Sequence, residues 1–248
     1  RLKQWLLNQK RTQNWESVPA TINAIYALLL TGSDWLNENN TCTVNWGGKT
    51  YSTAEGETAT GYLKVVLGEK EISSESNSVS IRKEGNAPAW GAVYEQYFEN
   101  INKVDKRQGV LNVEKKLFIE SNSGTGLQIQ PVTEGKLRVG DKVVVRLTIR
   151  TDREMDYVFL KDLRAGCFEP ADQISGTKFR DGVMYYQSPT DVSENFFFNR
   201  LPAGTFVIEY PVYVTRTGDY AGGFSTIQCL YAPEFVSHTE SEAISVSF

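Results

Sequence analysis

The chain has 248 residues, with 26 Lys and Arg against 30 Asp and Glu, so its net charge of -4 is mild. This balance does not indicate nucleic-acid binding, because proteins of that class gather Lys and Arg into patches that neutralise phosphates. A hydrophobic content of 40% with 12% aromatic residues supports a packed core and excludes an intrinsically disordered chain. The longest apolar run, AIYALLL, is too short for a transmembrane helix.

The N-terminal part of the chain shows helical periodicity over residues 1–36. In SVPATINAIYALLLTG, apolar residues recur at helical spacing at Val18, Ile22, Ile25 and Leu29. Ser17 is a suitable N-cap and Gly32 a suitable C-terminal stop. We therefore expect two short helices, joined by a polar turn, that form the end of a larger helical domain. The start at Arg1, without a methionine, suggests a fragment of a longer protein.

Residues 37–114 are less regular and predict a small β domain. After about residue 40 the period changes from 3.6 to 2, and this alternation is typical of half-buried antiparallel strands. Nine strands are predicted over residues 115–248, at KKLFIE, LQIQ, KVVVRLTIR, DYVFLKDL, GVMYYQ, ENFFFNR, TFVIEYPVYV, STIQCLY and AISVSF. Pro211 favours an edge or a bulge in its strand, because proline donates no ladder hydrogen bond. About seven to nine short strands over residues 115–248 predict a β-sandwich.

The stretch STIQCLYAPEFVSHTE brings a thiol, an acid and an imidazole close together in sequence. Period-2 alternation turns Cys229 inward, where an apolar core makes a thiol inert. We expect APEF to break the strand, with Glu234 within it and His238, the only histidine, in a solvated loop. A cysteine hydrolase built on Cys229 and His238 remains an alternative that a buried Cys229 far from His238 would remove.

Metal and cofactor sites are not indicated by the sequence. The three cysteines, Cys42, Cys167 and Cys229, lie far apart and form no C-x-x-C pair, so at most one disulfide can form and we expect mostly free, buried thiols. The acids of TDREMD alternate in a way typical of an exposed turn. No phosphate-binding GxxxxGK motif occurs. We therefore expect no cofactor and no metal ion.

Aromatic residues offer a second alternative, a ligand- or carbohydrate-binding β module of a surface protein. The run NFFFNR on a strand must send at least one phenylalanine to each face of its sheet. An outward cluster of Trp46, Trp90 or Phe197 in a groove would favour this alternative.

Several phrases, in order, resemble one family. WLLNQKRTQNWESVPATINAIYALL resembles the last helices of the thioester domain of alpha-2-macroglobulins. PAWGAVYEQYFENINKV, LRVGDKVVVRLTIRTDREMDYVFLKDLRAGCFEP and FFFNRLPAGTFVIEYPVYVTRTGDYAGGFSTIQCLYAPEF resemble the segments that follow in a bacterial, Bacteroidetes-like branch. The chain is thus similar to the C-terminal quarter or less of such a protein.

This resemblance implies a mainly β fold with a short N-terminal helical segment. It implies thioester-domain helices over residues 1–36, the returning part of a CUB-like β domain over 37–114, and a terminal macroglobulin-like, fibronectin-III-like sandwich over 115–248. The returning half of a CUB domain would expose sheet edges, and such edges invite pairing with another chain.

The resemblance also implies a function. The family's proteins are secreted or lipid-anchored protease traps that change shape when a bait segment is cut, and they are not turnover enzymes. We therefore expect a non-enzymatic scaffold in the periplasm or at the cell surface, anchored through the parent's N-terminus. Its expected partners are target proteases and the parent's other domains.

One family motif is missing from this chain. In many relatives a thioester joins the Cys and Gln of a Cys-x-Glu-Gln motif, which does not occur here. Relatives carry Met-Tyr-x-Pro at a turn that shields the thioester from water, and the corresponding residues here are Leu230, Tyr231, Ala232 and Pro233. If the parent has a thioester, this turn guards it; otherwise the turn is a domain contact.

Overall fold

The computed structural model describes residues 2–31, 41–57, 61–85, 89, 91–124 and 126–248. These residues form two compact units, one of Trp15–Tyr94 and one that combines Leu2–Asn14 with Glu95–Phe248. Of the described residues, strands hold 50% and helices, 3-10 turns included, hold 16%, which confirms the mainly β fold with a short helical segment. The domain boundaries at residues 36 and 114 stay predictions.

The described part of the first unit contains one α-helix, three short 3-10 helices (Thr53–Glu55, Glu69–Glu71 and Ser74–Asn77) and a small antiparallel sheet. The order is α2 (Val18–Leu30), β1 (Thr41–Trp46), β2 (Lys49–Ser52) and β3 (Val79–Glu84), after α1 (Leu2–Thr12) of the other unit. Strand β1 lies between β2 and β3. Because β2 and β3 each pair with β1 alone among the described strands, both are edge strands.

The helix α2 begins as its sequence predicts. The Ser17 hydroxyl accepts a hydrogen bond from the Ala20 amide at 3.2 Å, which satisfies a donor of the first turn. Thr31 is the C-cap, and the predicted stop at Gly32 lies outside the described residues. The apolar positions spaced along α2 are 47–73% exposed: Val18, Ile22, Ile25 and Leu29. The helix therefore carries an uncovered apolar face.

The second unit joins α1 to a β-sandwich. Its strands are β4 (Leu111–Ser123), β5 (Gly126–Pro131), β6 (Lys136–Arg138), β7 (Lys142–Thr151), β8 (Met155–Leu163), β9 (Phe168–Pro170), β10 (Gly176–Arg180), β11 (Val183–Pro189), β12 (Ser193–Leu201), β13 (Gly204–Val214), β14 (Gly218–Ala221), β15 (Ser225–Cys229), β16 (Ala232–His238) and β17 (Ala243–Ser247). A six-stranded sheet has the order β10-β11-β12-β8-β15-β16, and a five-stranded sheet has the order β5-β4-β7-β13-β9. A small sheet, β14-β17-β6, completes the unit.

The core lies between the inner faces of the two large sheets. On β7, Val143, Val145, Leu147 and Ile149 are at most 1% exposed, as their alternation predicts. Phe196 and Phe198 point into the core, whereas Phe197 between them points outward and is 42% exposed. Each inner face therefore contributes the alternate apolar residues of its strands.

All nine strands predicted from residue 115 onward are present, but the prediction missed five. The missed strands are β6, β9, β10, β14 and β16. On one side of β13, Pro211 pairs with Val144 of β7. On the other side, strand β9 pairs only with residues 212–214, so Pro211 lies just beyond the end of that pairing. Its missing N–H therefore interrupts no pairing with β9.

Candidate functional site

The turn Leu230–Pro233 connects two strands of the six-stranded sheet. Cys229 at the end of β15 pairs with Ala232 at the start of β16, so Leu230 and Tyr231 alone form the connection. Ala232 is 3% exposed and belongs to the core, whereas Tyr231 is 78% exposed. Ala232 therefore packs in the core, whereas the phenol ring of Tyr231 is exposed to solvent.

The turn is held by the beginning of strand β8. The Leu230 amide donates to the Tyr157 carbonyl oxygen at 2.9 Å. The Tyr157 and Tyr231 rings meet edge to face, with 5.1 Å between centroids. Tyr157 has φ of 56°, which is rare for a residue other than glycine and occurs where surrounding contacts enforce it. The sequence offers no signal for this conformation, so sequence reasoning did not identify Tyr157.

Helix α1 contacts the sandwich beside the turn. Arg11 forms an ion pair with Glu234, which follows the turn on β16. The Arg11 guanidinium also lies 5.7 Å from the centre of the Phe235 ring, and Arg153 lies 5.5 Å from the same ring. Phe235 therefore makes cation–π contacts with one arginine of α1 and one of the sandwich.

Two hydrogen bonds from the end of α1 extend this contact. The Asn14 amide donates to the Asp156 carboxylate at 3.0 Å, and the Gln13 side-chain amide donates to the Glu154 carbonyl oxygen at 3.1 Å. Asp156 directly precedes Tyr157, so α1, the start of β8 and the turn form one continuous set of contacts. The carboxylate of Glu154 pairs with Arg200 at 2.8 Å, and Asp152 pairs with Arg153 at the same distance.

Cys229 and His238 are not brought together. Cys229 is 0% exposed, faces the core, and its thiol donates to the Asp156 carbonyl oxygen at 3.4 Å. Burial raises the pKa of the Cys229 thiol. His238 pairs with Thr226, three residues before Cys229 on β15, which corresponds to about 10 Å along the strand. Odd-numbered β15 residues face the core, so His238 shares the opposite face with Thr226.

The prediction of a solvated loop at His238 is wrong. APEF does not break the strand, because Ala232–His238 is itself strand β16 and pairs with β15. His238 is half-buried and exchanges two backbone hydrogen bonds with Arg107, both 3.0 Å. The sequence APEFVSH contains a proline and a glutamate and does not alternate between apolar and polar residues. Strand β16 is therefore stabilised by its pairing with β15 and is not predictable from its own sequence pattern.

Of the aromatic residues that the carbohydrate alternative depends on, Trp46 and Phe197 are described, and each makes contacts within its own unit. Trp46 is half-buried, and its indole donates to the Ser76 carbonyl oxygen at 2.8 Å. Phe197 stacks on Phe159 with 4.8 Å between ring centres, so the two rings cover each other's faces. Trp90 lies outside the described residues.

The described ranges hold neither a candidate metal cluster nor a helix suited to span a membrane. No cluster of three or more His, Cys, Asp or Glu suited to a metal ion occurs there. No helix in those ranges is both long and apolar enough to cross a membrane.

Comparison with known proteins gives a family match for the sandwich. Residues 111–234, half of the chain, match the model described as the bacterial alpha-2-macroglobulin MG10 domain. In a different protein, circularly permutated Ras protein 2 of Dictyostelium discoideum, 114 residues are 27% identical, which is 45% of this chain and 3% of that protein.

Solved structures show a likeness of fold over nearly the whole chain. Escherichia coli alpha-2-macroglobulin activated by porcine elastase matches 97% of this chain with 12% identity and a TM-score of 0.52, over 21% of its own length. The trypsin-activated form of that protein matches the same share with the same identity and TM-score, over 16% of its length. The chain therefore spans only a small part of the proteins that it resembles.

Proposed function

The chain belongs to the bacterial alpha-2-macroglobulin family, and from this premise we propose that it is the C-terminal scaffold of a protease trap. In this role the sandwich performs no chemistry of its own. It holds the turn Leu230–Pro233 against another domain of the same protein. The observation that carries the proposal is the contact of α1 with the sandwich beside this turn, through Arg11 and Glu234.

The helix α1 resembles the last helices of a thioester domain, so its contact with the sandwich is a contact between two domains of the trap. The outward Tyr231 then stands where it can cover a thioester from water, if the parent has one. If the parent lacks a thioester, the same turn acts as a domain contact. Both roles depend on the exposed Tyr231 ring and on its contact with the Tyr157 ring. Neither role needs a residue that titrates.

The first unit supports the presence of further domains. The exposed apolar face of α2 resembles a surface that other helices of a thioester domain cover in the parent protein. The edge strands β2 and β3 are available for the missing half of a CUB-like domain, or for association with another chain. We propose these other domains of the parent as the chain's first partners.

Proteases are the proposed targets of the full-length protein. The matched Escherichia coli structures are described as activated by elastase and by trypsin, and we extend this behaviour to the parent of the present chain. Inhibition of proteases that attack the cell fits a location in the periplasm or at the cell surface. We propose membrane anchoring through the parent's N-terminus.

Protease challenge of the full-length protein tests the trap. Limited cleavage by trypsin or elastase should yield a compact form that migrates faster on a native gel and retains the protease. Cleavage that produces only separate fragments, without a compact form and without retained protease, contradicts the proposal. A catalytically inactive protease is the control, because it cannot cut a bait segment.

The role of the turn is tested in the same protein by Tyr231→Gly. If the parent has a thioester, this variant should release a free thiol with methylamine or water faster than the wild type. Tyr213→Gly is the matched control, because Tyr213 is an exposed tyrosine on the five-stranded sheet. Equal rates of thiol release in both variants contradict the shielding role but leave the trap itself untouched.

A further inference from the structure

A lysine and an aspartate join the two sheets inside the sandwich. Lys115 lies on β4 of the five-stranded sheet and Asp162 on β8 of the six-stranded sheet. The Lys115 Nζ is 2.8 Å from the Asp162 Oδ1, and the side chains are 10% and 0% exposed. The contact is therefore an ion pair between an ammonium and a carboxylate in a site largely shielded from water, and the Lys115 Nζ also donates to the carbonyl oxygens of Leu163 at 2.8 Å and Gly222 at 3.4 Å.

The distance between the two groups suits a reaction as well as an ion pair. The Asp162 Cγ is one C–O bond, about 1.2 Å, beyond Oδ1. The Lys115 Nζ therefore lies within about 4 Å of the carbon that it would attack, close to the separation of reacting atoms in productive complexes. Groups fixed in this way react with effective molarities of about 10⁵–10⁸ M, which speeds a condensation that is very slow between free groups in water.

Two hydroxyl groups surround the Asp162 carboxyl group. Ser225 Oγ donates to Asp162 Oδ1 at 2.7 Å, and Tyr210 Oη donates to Asp162 Oδ2. Tyr210 is on the five-stranded sheet, and Ser225 is on the six-stranded sheet. Donors fixed on both oxygens stabilise the negative charge that forms when a nucleophile adds to a carboxyl carbon.

A second carboxylate lies opposite Asp162. Glu194 is the direct cross-strand partner of Asp162 in the β8–β12 ladder, and its side chain is 1% exposed. Directly opposed residues have Cβ atoms about 5 Å apart. Burial raises the pKa of Glu194, and the charge of Asp162 acts in the same direction. Glu194 itself pairs with Arg164, with 2.9 Å between Oε2 and Nη2, so a lysine and an arginine supply the counter-charges of the two neighbouring carboxylates.

We propose that Lys115 and Asp162 form an intramolecular isopeptide bond that ties the two sheets together. A proton first passes from the Lys115 ammonium to the Asp162 carboxylate along their hydrogen bond, leaving an amine and a carboxylic acid. The amine nitrogen attacks Cγ, a C–N bond forms, and the C–OH bond breaks. The hydroxyl group leaves with a proton from the nitrogen as water, so no oxidant or reductant takes part.

The reaction removes two buried charges and leaves a neutral amide. Buried ion pairs lose part of their attraction to the cost of desolvating both charges, so their conversion to an amide relieves that cost. The product still accepts a hydrogen bond at its carbonyl oxygen from Tyr210 or Ser225. This inference is independent of the trap, because it concerns only the interior of the sandwich.

Intact mass spectrometry of the purified, folded chain tests the bond. The wild-type mass should be lower than the mass of the sequence by one water molecule, and it should stay so after denaturation. Trypsin should then yield a branched peptide in which Asp162–Arg164 is attached to the segment that contains Lys115. The variant Lys115→Arg keeps the positive charge but forms no such amide, so it should show the full sequence mass.

A matched control distinguishes this pair from ordinary ion pairs. Lys142 and Glu120 are 2.6 Å apart, but their side chains are 34% and 17% exposed. Lys142→Arg should leave the water loss and the branched peptide unchanged. A wild-type mass equal to the sequence mass overturns the proposal, whether or not Lys115→Arg folds. A water loss that maps to other residues overturns it as well.

Discussion

Arg164 and Glu194 form an ion pair in the interior of the sandwich, with 2.9 Å between Nη2 and Oε2 and with both side chains 1% exposed. Glu194 also accepts a hydrogen bond from the Gln187 side-chain amide at 2.7 Å. Arg164 donates to the carbonyl oxygens of Thr190 and Ser193 at 2.9 and 3.4 Å. The pair thereby fixes the connection between β11 and β12 to the end of β8.

Replacement of Arg164 by methionine should strongly destabilise the chain. The substitution retains much of the volume but leaves Glu194 buried without its cation and removes the Arg164 donor from the Thr190 carbonyl oxygen. The Ser193 carbonyl oxygen keeps the Thr190 amide and hydroxyl as donors. Loss of one partner of a buried pair costs about 3–5 kcal/mol. Urea unfolding followed by far-ultraviolet circular dichroism measures the loss, because all five tryptophans precede residue 91 and none lies in the sandwich.

The control for this variant is Lys178→Met. Lys178 pairs with Asp172 at 3.2 Å, but the two side chains are 40% and 47% exposed. Exposed pairs contribute about 0–1 kcal/mol, so this variant should unfold at nearly the wild-type urea concentration. Equal losses in the two variants would show that burial does not determine the strength of the Arg164 contact.

The pH dependence of stability should carry a contribution from Glu194. Burial raises its folded-state pKa above the ordinary value of 4.5, so the folded chain binds more protons than the unfolded chain just above that value. This contribution is complete below the ordinary pKa and is lost as pH rises through the folded-state pKa. The variant Glu194→Gln cannot titrate. The free energy of unfolding of the wild type should therefore fall relative to that of Glu194→Gln as pH rises.

Unfolding curves of both proteins across the acidic range measure this difference. Subtraction of the Glu194→Gln values removes the contribution of the other titrating groups, which the two proteins share. A difference that stays constant, or that changes in favour of the wild type as pH rises, contradicts the raised pKa.

Long alternating segments could be predicted from sequence because their pattern is set by burial of one face. Strand β7 shows this, with inward Val143 and Val145 against outward Arg146 and Arg150. Strand β16 could not be predicted, because Pro233 and Glu234 obscure its alternation and its order comes from pairing with β15. Contacts outside the strand itself, with β15 and with Arg107, therefore stabilise β16.

The site was predicted only in part for the same reason. Leu230 and Tyr231 were identified through a resemblance, and the structure places them in a two-residue turn. Tyr157 and Arg11 support that turn from more than 70 residues away, and nothing in their local sequence marks them. Buried acids such as Asp162 also escape prediction, because a charge is expected outside until its partners are known.

Gly223 should be intolerant of a side chain. Its φ is 72°, and a Cβ atom there would lie 2.3 Å from the Leu163 carbonyl oxygen. Backbone oxygen cannot move aside as a flexible side chain can, because the Leu163 amide is itself bonded to Phe224 at 3.0 Å. Gly223→Ala should lower the free energy of unfolding by more than about 1 kcal/mol.

Gly176→Ala is the control for this prediction. Gly176 begins β10, and no atom lies within 4 Å of the Cβ that alanine would add. This variant should unfold at the wild-type temperature or slightly above it, as measured by circular dichroism. A loss for Gly176→Ala as large as that for Gly223→Ala would rule out the carbonyl clash as the cause.

Thiol reactivity should separate the three free cysteines by burial. Cys167 and Cys229 are 0% exposed, and burial raises the pKa of Cys167 to about 11 and that of Cys229 in the same direction. The thiolate is the reactive form, so both should be inert to Ellman's reagent in the folded chain near neutral pH. Cys42 is only half-buried, so it should account for the native reaction.

The variant Cys42→Ser should abolish that reaction, while urea should reveal its two remaining thiols. Rapid labelling of folded Cys42→Ser would contradict this assignment and show that the core of the sandwich opens to the reagent.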